Sequence, residues 1–344
     1  MDVFPKVTLI LPIHNEAKYI QNCLDGLYRQ NYPHDKMEII IADGLSSDNT
    51  RVVVEGRFNP GIDLLWIENP GKIVPTGLNL AIQRAKGDII IRVDGHTSIT
   101  PDYVRQCVEA LKRSGADNVG GRLDGRGERR IGEAVAIATS SPFGIGNARF
   151  HYSEQEEWVD TVYMGAWPRR VFKQIGLFDE ELVRDQDDEF NYRLRESGGK
   201  ILLSPKIKSI YMVRNNYKSL WKQYYQYGFW KVRVLQKHSR QMSLRQFMPP
   251  AFAGALLVSL LCTAIFPSGW VTFALVGGSY LLANIVASIT IVTKKGWRHL
   301  ALLPLTFVIL HLSYGFGFLN GLIKFWNRWG DKKGKVPGYQ LDEV

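Results

Sequence analysis

Three groups of side chains have types and spacing that could do chemistry. Asp94-Gly95-His96 sets a carboxylate and an imidazole on either side of a glycine that would let a ligand approach the backbone. Asp43-Gly44 repeats the acidic half of that pattern. Asp185-Gln186-Asp187-Asp188-Glu189 runs acidic or amide residues in succession at the start of a helical pattern, where one carboxylate could act as a general base. Each also has a plain structural account. A strand ending in a tight turn explains the first two, and carboxylates meeting the positive end of a helix dipole explain the third.

The elements that must position these groups separate the readings. Lys6 to Ile13 reads as a buried strand stopped by Pro12, and Lys18 to Arg29 as a helix with Ile20, Cys23, Leu24 and Leu27 on one face. Glu38 to Asp43 and Leu64 to Ile67 read as further strands. Between them, Ser46 to Thr50 supplies N-caps for a helix holding Val52 and Val53. Leu78, Ala81, Ile82 and Ala85 stand at helical spacing, and a fourth strand runs from the Gly87-Asp88 turn through Ile89–Ile91 to Asp94. Strands alternating with helices, each strand a continuous apolar run, indicate an α/β fold with a mostly parallel sheet covered on both faces. Two strands then end in an aspartate, Asp43 and Asp94, at the carboxyl edge where open α/β sheets bind nucleotides. No G-x-G-x-x-G or G-x-x-x-x-G-K-S/T is present, which disfavours the dinucleotide and P-loop cradles. Gly120-Gly121-Arg122 reads as a bend at a strand edge. Phe190, Leu194 and Leu182 suit the buried side of the helix that follows the acidic run.

Charge divides the chain. The net charge is +10, yet residues 1–196 hold 30 of the 33 acidic residues and stand near −6, while the remainder stands near +16. Such asymmetry indicates a part facing water and a part facing anionic lipid or nucleic acid. Ala251–Phe266, Trp270–Val292 and Leu300–Ile323 lack Asp, Glu, Lys and Arg, and a membrane span needs roughly 20 apolar residues. The bases and aromatics from residue 206 to 248, with Trp221, Tyr224, Tyr225, Phe229 and Trp230 among Lys218, Lys222, Lys231, Arg233 and Lys237, read as interfacial helices with bases on lipid phosphate. Cys23, Cys107 and Cys262 are too few and scattered for a disulfide framework or zinc cluster, which suits a head on the reducing side. No cleavable signal peptide precedes the first strand.

With these residues assembled, residues 5–200 resemble the family 2 inverting glycosyltransferases of GT-A fold, a Rossmann-like architecture. Val7 to Glu16 is similar to the family's opening strand and P-x-x-N-E, and Asp43 to Asp48 to its D-x-x-S-x-D loop. Leu78-Asn79 with Ala85-Lys86-Gly87-Asp88 is similar to L-N…A-x-G-D, and Asp94-Gly95-His96 sits where the metal-binding D-x-D belongs. Met164-Gly165-Ala166 through Phe178-Asp179-Glu180 resembles the acceptor-side segment. Gln186-Asp187 through Arg193-Leu194 and Gly198 resembles the E-D…R-L…G element. Membrane members that build lipid-linked exopolysaccharide repeats of succinoglycan type share the D-x-H variant, the Q-D-D-E run and a hydrophobic tail.

The resemblance implies a nucleotide-diphosphate sugar donor, UDP-glucose by analogy. Asp43 would bind uracil or ribose, with Pro12, Ile13 and Glu16 lining the nucleoside pocket and Asn79, Asp94 and Gly95 also at the donor. A divalent ion at Asp94 and His96 would neutralise the leaving diphosphate. The imidazole favours Mn²⁺ over Mg²⁺, which prefers all-oxygen shells. Asp187 would deprotonate the acceptor hydroxyl for single displacement with inversion, Asp188 and Glu189 being the alternatives. Adjacent carboxylates raise one another's pKa. The implied acceptor is a polyprenyl-(di)phosphate-linked saccharide, with membrane lipid as partner and no nucleic acid. Two departures stand out: His96 replaces a carboxylate, and Gln186 replaces the first acid of E-D. Gln223-Tyr224-Tyr225-Gln226-Tyr227 lacks the Arg and Trp of the processive Q-x-x-R-W, which favours addition of one sugar over a processive synthase. A non-catalytic nucleotide-sugar-binding scaffold is the competing reading from another class.

The expected organisation is a catalytic domain over residues 1–205, interfacial helices over 206–248, two to three spans over 249–326 and a tail over 327–344. The protein is expected in the cell membrane, multi-pass, with its head on the cytoplasmic face where the donor pool lies and basic loops concentrate. Pro267-Ser268-Gly269 suits an outer turn and Lys294 to Arg298 an inner one. Three full spans would place Lys324, Arg328, Lys332, Lys333 and Lys335 outside, against that rule. A last segment broken at Pro304, Gly315, Gly317 and Gly321 would return them inside. His311 is expected to pack between helices.

Overall fold

The computed structural model describes residues 4–57, 59–266 and 268–339. They form two compact units: Met1–Asp124 with Ala148–Tyr211 and Gly334–Val344, and Gly125–Asn147 with Met212–Lys333.

In chain order the elements are β1 (Val7–Ile13), α1 (Ile20–Tyr28), β2 (Met37–Asp43), α2 (Thr50–Glu55), β3 (Asp63–Glu68), α3 (Val74–Arg84), β4 (Ile89–Arg92), β5 (Thr97–Ile99), α4 (Tyr103–Ser114) and β6 (Asn118–Arg126). There follow α5 (Arg130–Thr139), α6 (Pro142–Ile145), β7 (Glu157–Trp158), β8 (Tyr163–Pro168), α7 (Arg170–Ile175), α8 (Gln186–Glu196) and β9 (Ile201–Met212). The chain then continues through α9 (Tyr217–Lys237), α10 (Leu244–Ile265), α11 (Gly269–Lys295) and α12 (Leu303–Lys324).

The sheet order is β3-β2-β1-β4-β8-β6-β9-β5, with β7 on β9. β3, β2, β1 and β4 are parallel, which explains why β1, β2 and β4 read as unbroken apolar runs: both faces are covered. The rest corrects the mostly parallel expectation. β8 pairs antiparallel with β4 and β6, and β9 pairs antiparallel with β5 and β7, so the sheet is mixed. α1 buries Ile20, Cys23, Leu24 and Leu27, the face its spacing required. Pro12 does not stop β1. It pairs with Ala42 one residue before the strand's end, and β4 ends at Arg92, two residues short of Asp94. Gly120 and Gly121 lie inside β6 at a register shift, and a Cβ on Gly121 would stand 1.8 Å from the Ile207 carbonyl oxygen. This pair serves close backbone approach, not a bend at an edge.

The division at residue 205 falls inside β9, so residues 206–212 are sheet and not interfacial helix. Residues 334–339 belong to the first unit and lie along the segment before α8. Lys335 N donates to Asp179 Oδ1 (2.8 Å), and the Lys335 and Pro337 carbonyls accept from Glu180 N (2.9 Å) and Leu177 N (3.1 Å). Arg169 donates to the Tyr339 hydroxyl at 3.0 Å.

In the second unit, α10, α11 and α12 are each long and apolar enough to cross a membrane. Of the two topologies left open for the last segment, the one that needs a broken helix is not what the structure has. α12 is one continuous helix with Pro304 in its first turn, where the missing N–H costs nothing. Its glycines instead admit neighbours: a Cβ would meet Tyr225 O at 2.0 Å from Gly317, Phe229 O at 2.6 Å from Gly321 and Pro249 O at 2.6 Å from Gly315. The basic face of α9 also departs from expectation. Lys231, Arg233 and Lys237 are buried in protein, and Arg233 pairs with Asp331 at 3.0 Å. His311 packs as expected, bonding the Tyr280 hydroxyl (2.8 Å) and the Phe143 carbonyl (2.9 Å). Pro267 of the expected outer turn lies outside the described residues.

Candidate active site

Three strand ends meet at one edge of the parallel half-sheet. Ile13 is in register with Asp43, Gly44 N donates to Ile13 O at 2.8 Å, and Val93 N donates to Ile10 O at 3.0 Å. This places Pro12, Ile13, Asp43 and Asp94 together, as the alternation of strands and helices required.

The loops beyond that edge are bonded to each other. Asp43 accepts from Ser46 N and Ser46 Oγ. Asn15 N donates to Ser46 Oγ and Asn15 Oδ1 accepts from Ser47 N, both at 2.8 Å. Glu16 N donates to Thr50 Oγ1 at 2.8 Å, while Ala17 N donates to Asp48 at 3.2 Å. The D-x-x-S-x-D loop therefore braces the loop after β1. Four residues with positive φ lie in this region, Asn15 (55°), Leu45 (59°), Met164 (49°) and Asp185 (60°), each strained by about 1–3 kcal/mol.

Asp94 is buried and receives Arg92 Nε at 2.7 Å. Burial alone would raise its pKa, but the Arg92 and His96 charges and the Tyr163 hydroxyl hold the carboxyl below its usual range. Its backbone N contacts Met164 Sδ at 3.3 Å, tying this turn to β8. His96 Nδ1 lies 2.8 Å from Glu16 Oε1, and its ring packs edge-on to Tyr211. A neutral ring that donates Nδ1–H to Glu16 keeps its lone pair on Nε2, the arrangement of a metal-ligating histidine with a carboxylate behind it. Glu16 thus supports His96, a role the sequence did not reveal. Gly95 is also required for a different reason than expected: a Cβ there would stand 2.9 Å from Ile13 Cγ2 and 3.1 Å from Glu16 Cγ, so protein side chains occupy that space.

Asp187 opens α8. Burial first, and then the Asp188 charge, push its carboxyl above the ordinary carboxylate range, while Arg92 pulls the other way. The Arg92 guanidinium interacts with both Asp94 and Asp187. One buried cation thus hydrogen-bonds Asp94 and acts by its charge on Asp187, a carboxylate far away in sequence. Arg92 escaped the sequence reading, although its position two residues before Asp94, on the same side of an extended chain, was the available signal.

Two expected site residues are engaged elsewhere. Glu189 is buried in a bidentate pair with Arg193, Oε1 to Nε at 2.7 Å and Oε2 to the second amino group at 3.0 Å, so it is not a free base. The Asn79 carboxamide is taken by the Phe178 backbone, accepting from its N and donating to its O, both at 2.9 Å, and by Glu180 at 3.0 Å. It braces the segment before α8 and does not face a donor.

Residues 8–176 match the family described as Glycosyl transferase family 2. Residues 8–176 belong to glycosyltransferase family 2. This glycosyltransferase is 28% identical to the succinoglycan biosynthesis protein ExoA of Rhizobium meliloti over 93% of its own length and 96% of that protein's. It is also 28% identical, over 92% and 97%, to the dolichyl N-acetyl-alpha-D-glucosaminyl phosphate 3-beta-D-2,3-diacetamido-2,3-dideoxy-beta-D-glucuronosyltransferase of Methanococcus voltae. Its fold is that of the mannosyltransferase PcManGT of Pyrobaculum calidifontis, solved with GDP-Man and Mn²⁺, at a TM-score of 0.57, 20% identity and coverage of 91% and 89%. The GT-A glycosyltransferase carries three long apolar helices beyond the sheet domain.

Proposed function

We propose that the enzyme transfers a single sugar, with inversion, from a nucleotide-diphosphate sugar to a polyprenyl-(di)phosphate-linked saccharide. UDP-hexose is the proposed donor, with glucose as the sugar to test first. The observation that carries this reading is Arg92, which hydrogen-bonds Asp94 on the strand edge at 2.7 Å and whose charge also acts on Asp187 of α8. A donor diphosphate beside Asp94 would then have its sugar within reach of the Asp187 carboxylate.

Asp43, Pro12 and Ile13 would receive the nucleoside. Asp187, half-buried in the first turn of α8, would take the proton of the attacking hydroxyl. Among the described residues, no three His, Cys, Asp or Glu side chains cluster to hold a metal alone. The pair does fit a divalent cation that completes its shell with diphosphate oxygens and water. Asp94 and His96 would hold it, with Mn²⁺ favoured by the imidazole. Bound there, the cation would offset the charge of the leaving diphosphate. The names of the Rhizobium and Methanococcus relatives, one for succinoglycan biosynthesis and one for a sugar on dolichyl phosphate, support the lipid-linked acceptor.

The test is release of nucleotide diphosphate by purified enzyme given donor, divalent metal and polyprenyl-linked acceptor. Long polymer made by this enzyme alone would overturn the single-sugar assignment. Glu16→Gln is expected to raise the metal concentration needed for half-maximal rate about 10–100-fold, because the support of His96 is lost. Titration of activity with Mn²⁺ checks it. Asp188→Asn removes a charge that raises the Asp187 pKa. A base works only when deprotonated, so kcat falls as pH drops through that pKa, and this variant is expected to move the acidic limb to lower pH. A kcat profile against pH reads the shift.

A further inference from the structure

The chain leaves the first unit after Tyr211 and re-enters it at Gly334, where Lys335 and Pro337 are hydrogen-bonded to the segment Leu177–Glu180. A water-soluble sheet domain occupies one side of a bilayer. The number of crossings between residues 212 and 333 must therefore be even, although three helices there are long enough to cross. At least one of the three does not.

The surroundings of each helix identify it. In α10 and α11, 17% of the most apolar window is buried in protein, against 50% in α12. Large apolar side chains stand exposed on the first two, among them Leu257, Leu261, Ile265, Leu275, Leu282 and Val286. α12 instead lies in backbone contact with α9 through Gly228, Gly317 and Gly321. α9 carries exposed Lys218 and Lys222 and buried Arg233, and each charge at the centre of a bilayer costs about 2.5–3.5 kcal/mol.

A second observation fixes the start of α12. Residues 125–147 are an excursion between two parts of the sheet domain, and their longer helix, α5, has ten residues. That is about 15 Å, half of a hydrocarbon core of about 30 Å, so the excursion stays on the side it came from. Within the second unit it holds the linker into α12: Arg298 pairs with Glu133 at 3.3 Å, and His311 of α12 bonds Phe143 O at 2.9 Å. The chain has already returned when α12 begins.

We infer that α10 and α11 alone cross the bilayer, as a hairpin turning at Ser268, and that α12 begins and ends on the side of the catalytic residues. Lipid hydrocarbon is then the partner of the α10–α11 surface, and Lys324, Arg328, Lys332, Lys333 and Lys335 satisfy the positive-inside rule that three spans would break.

Single cysteines at exposed positions of the full chain test this: Lys36→Cys in the sheet domain, Ser268→Cys in the hairpin turn and Lys333→Cys beyond α12. A Cys262→Ser background serves, since Cys23 and Cys107 are buried. In sealed vesicles an impermeant maleimide is expected to label the first and third from one face and the second only from the other. Labelling of Lys333→Cys from the Ser268→Cys face would establish three crossings and overturn the inference. Labelling of Ser268→Cys from the Lys36→Cys face would overturn it as well, by showing that α10 does not cross. Sidedness is read without turnover, so the outcome is independent of donor and acceptor.

Discussion

Asp187→Asn is expected to lower kcat by about 10²–10⁴-fold, the usual contribution of a positioned general base. The amide keeps the shape of the carboxylate but cannot accept the acceptor's proton. Donor binding is expected to persist, because Asp43, Asp94 and His96 are untouched. Stability is expected to persist too: burial and Asp188 already work against the Asp187 charge, so neutralising it relieves the folded state. Turnover with purified donor and acceptor, set beside donor binding by calorimetry, separates these effects. Full turnover in this variant would remove Asp187 as the base.

The second large effect falls on stability. Glu189→Ala leaves the Arg193 guanidinium without its carboxylate in the interior, a loss worth about 3–5 kcal/mol for a buried pair. Arg193 also donates to Ile175 O and Leu177 O and lies over the Phe190 ring, so the damage reaches the turn before α8. The expected result is a large drop in the thermal unfolding midpoint, with Glu189→Asp intermediate. A Glu189→Ala protein that stayed stable but lost turnover would instead return Glu189 to the list of bases. Neighbouring carboxylates two residues apart are thus expected to fail in opposite ways.

The parallel half of the sheet was legible because buried strands and amphipathic helices leave local periodicity, and Asp43 ends one of those strands while Asp94 lies two residues past the end of another. Contacts made over long separations leave no such trace. Arg92 inside an apolar strand gives no hint of an Asp187 partner on a later helix. Glu189 and Asp187 read alike in a run of acids, and only the position of Arg193 distinguishes them. Asn79 fits the family pattern, yet its carboxamide closes on the Phe178 backbone. The positive φ angles at Leu45 and Met164 are invisible because those residues do not advertise them as glycine does. Membership of α5 and α6 in the unit of apolar helices, and of residues 334–339 in the sheet domain, likewise depends on packing alone.

The strand of backbone contributed by Lys335 and Pro337 to Leu177–Glu180 has a bearing on biosynthesis. Those peptide groups emerge from the ribosome only after α10, α11 and α12 have been made, and they complete the wall from which α8 departs. A nascent sheet domain therefore lacks these hydrogen bonds until the three apolar helices have been made. Order of synthesis thereby makes completion of the segment before α8 depend on chain that lies beyond the apolar helices.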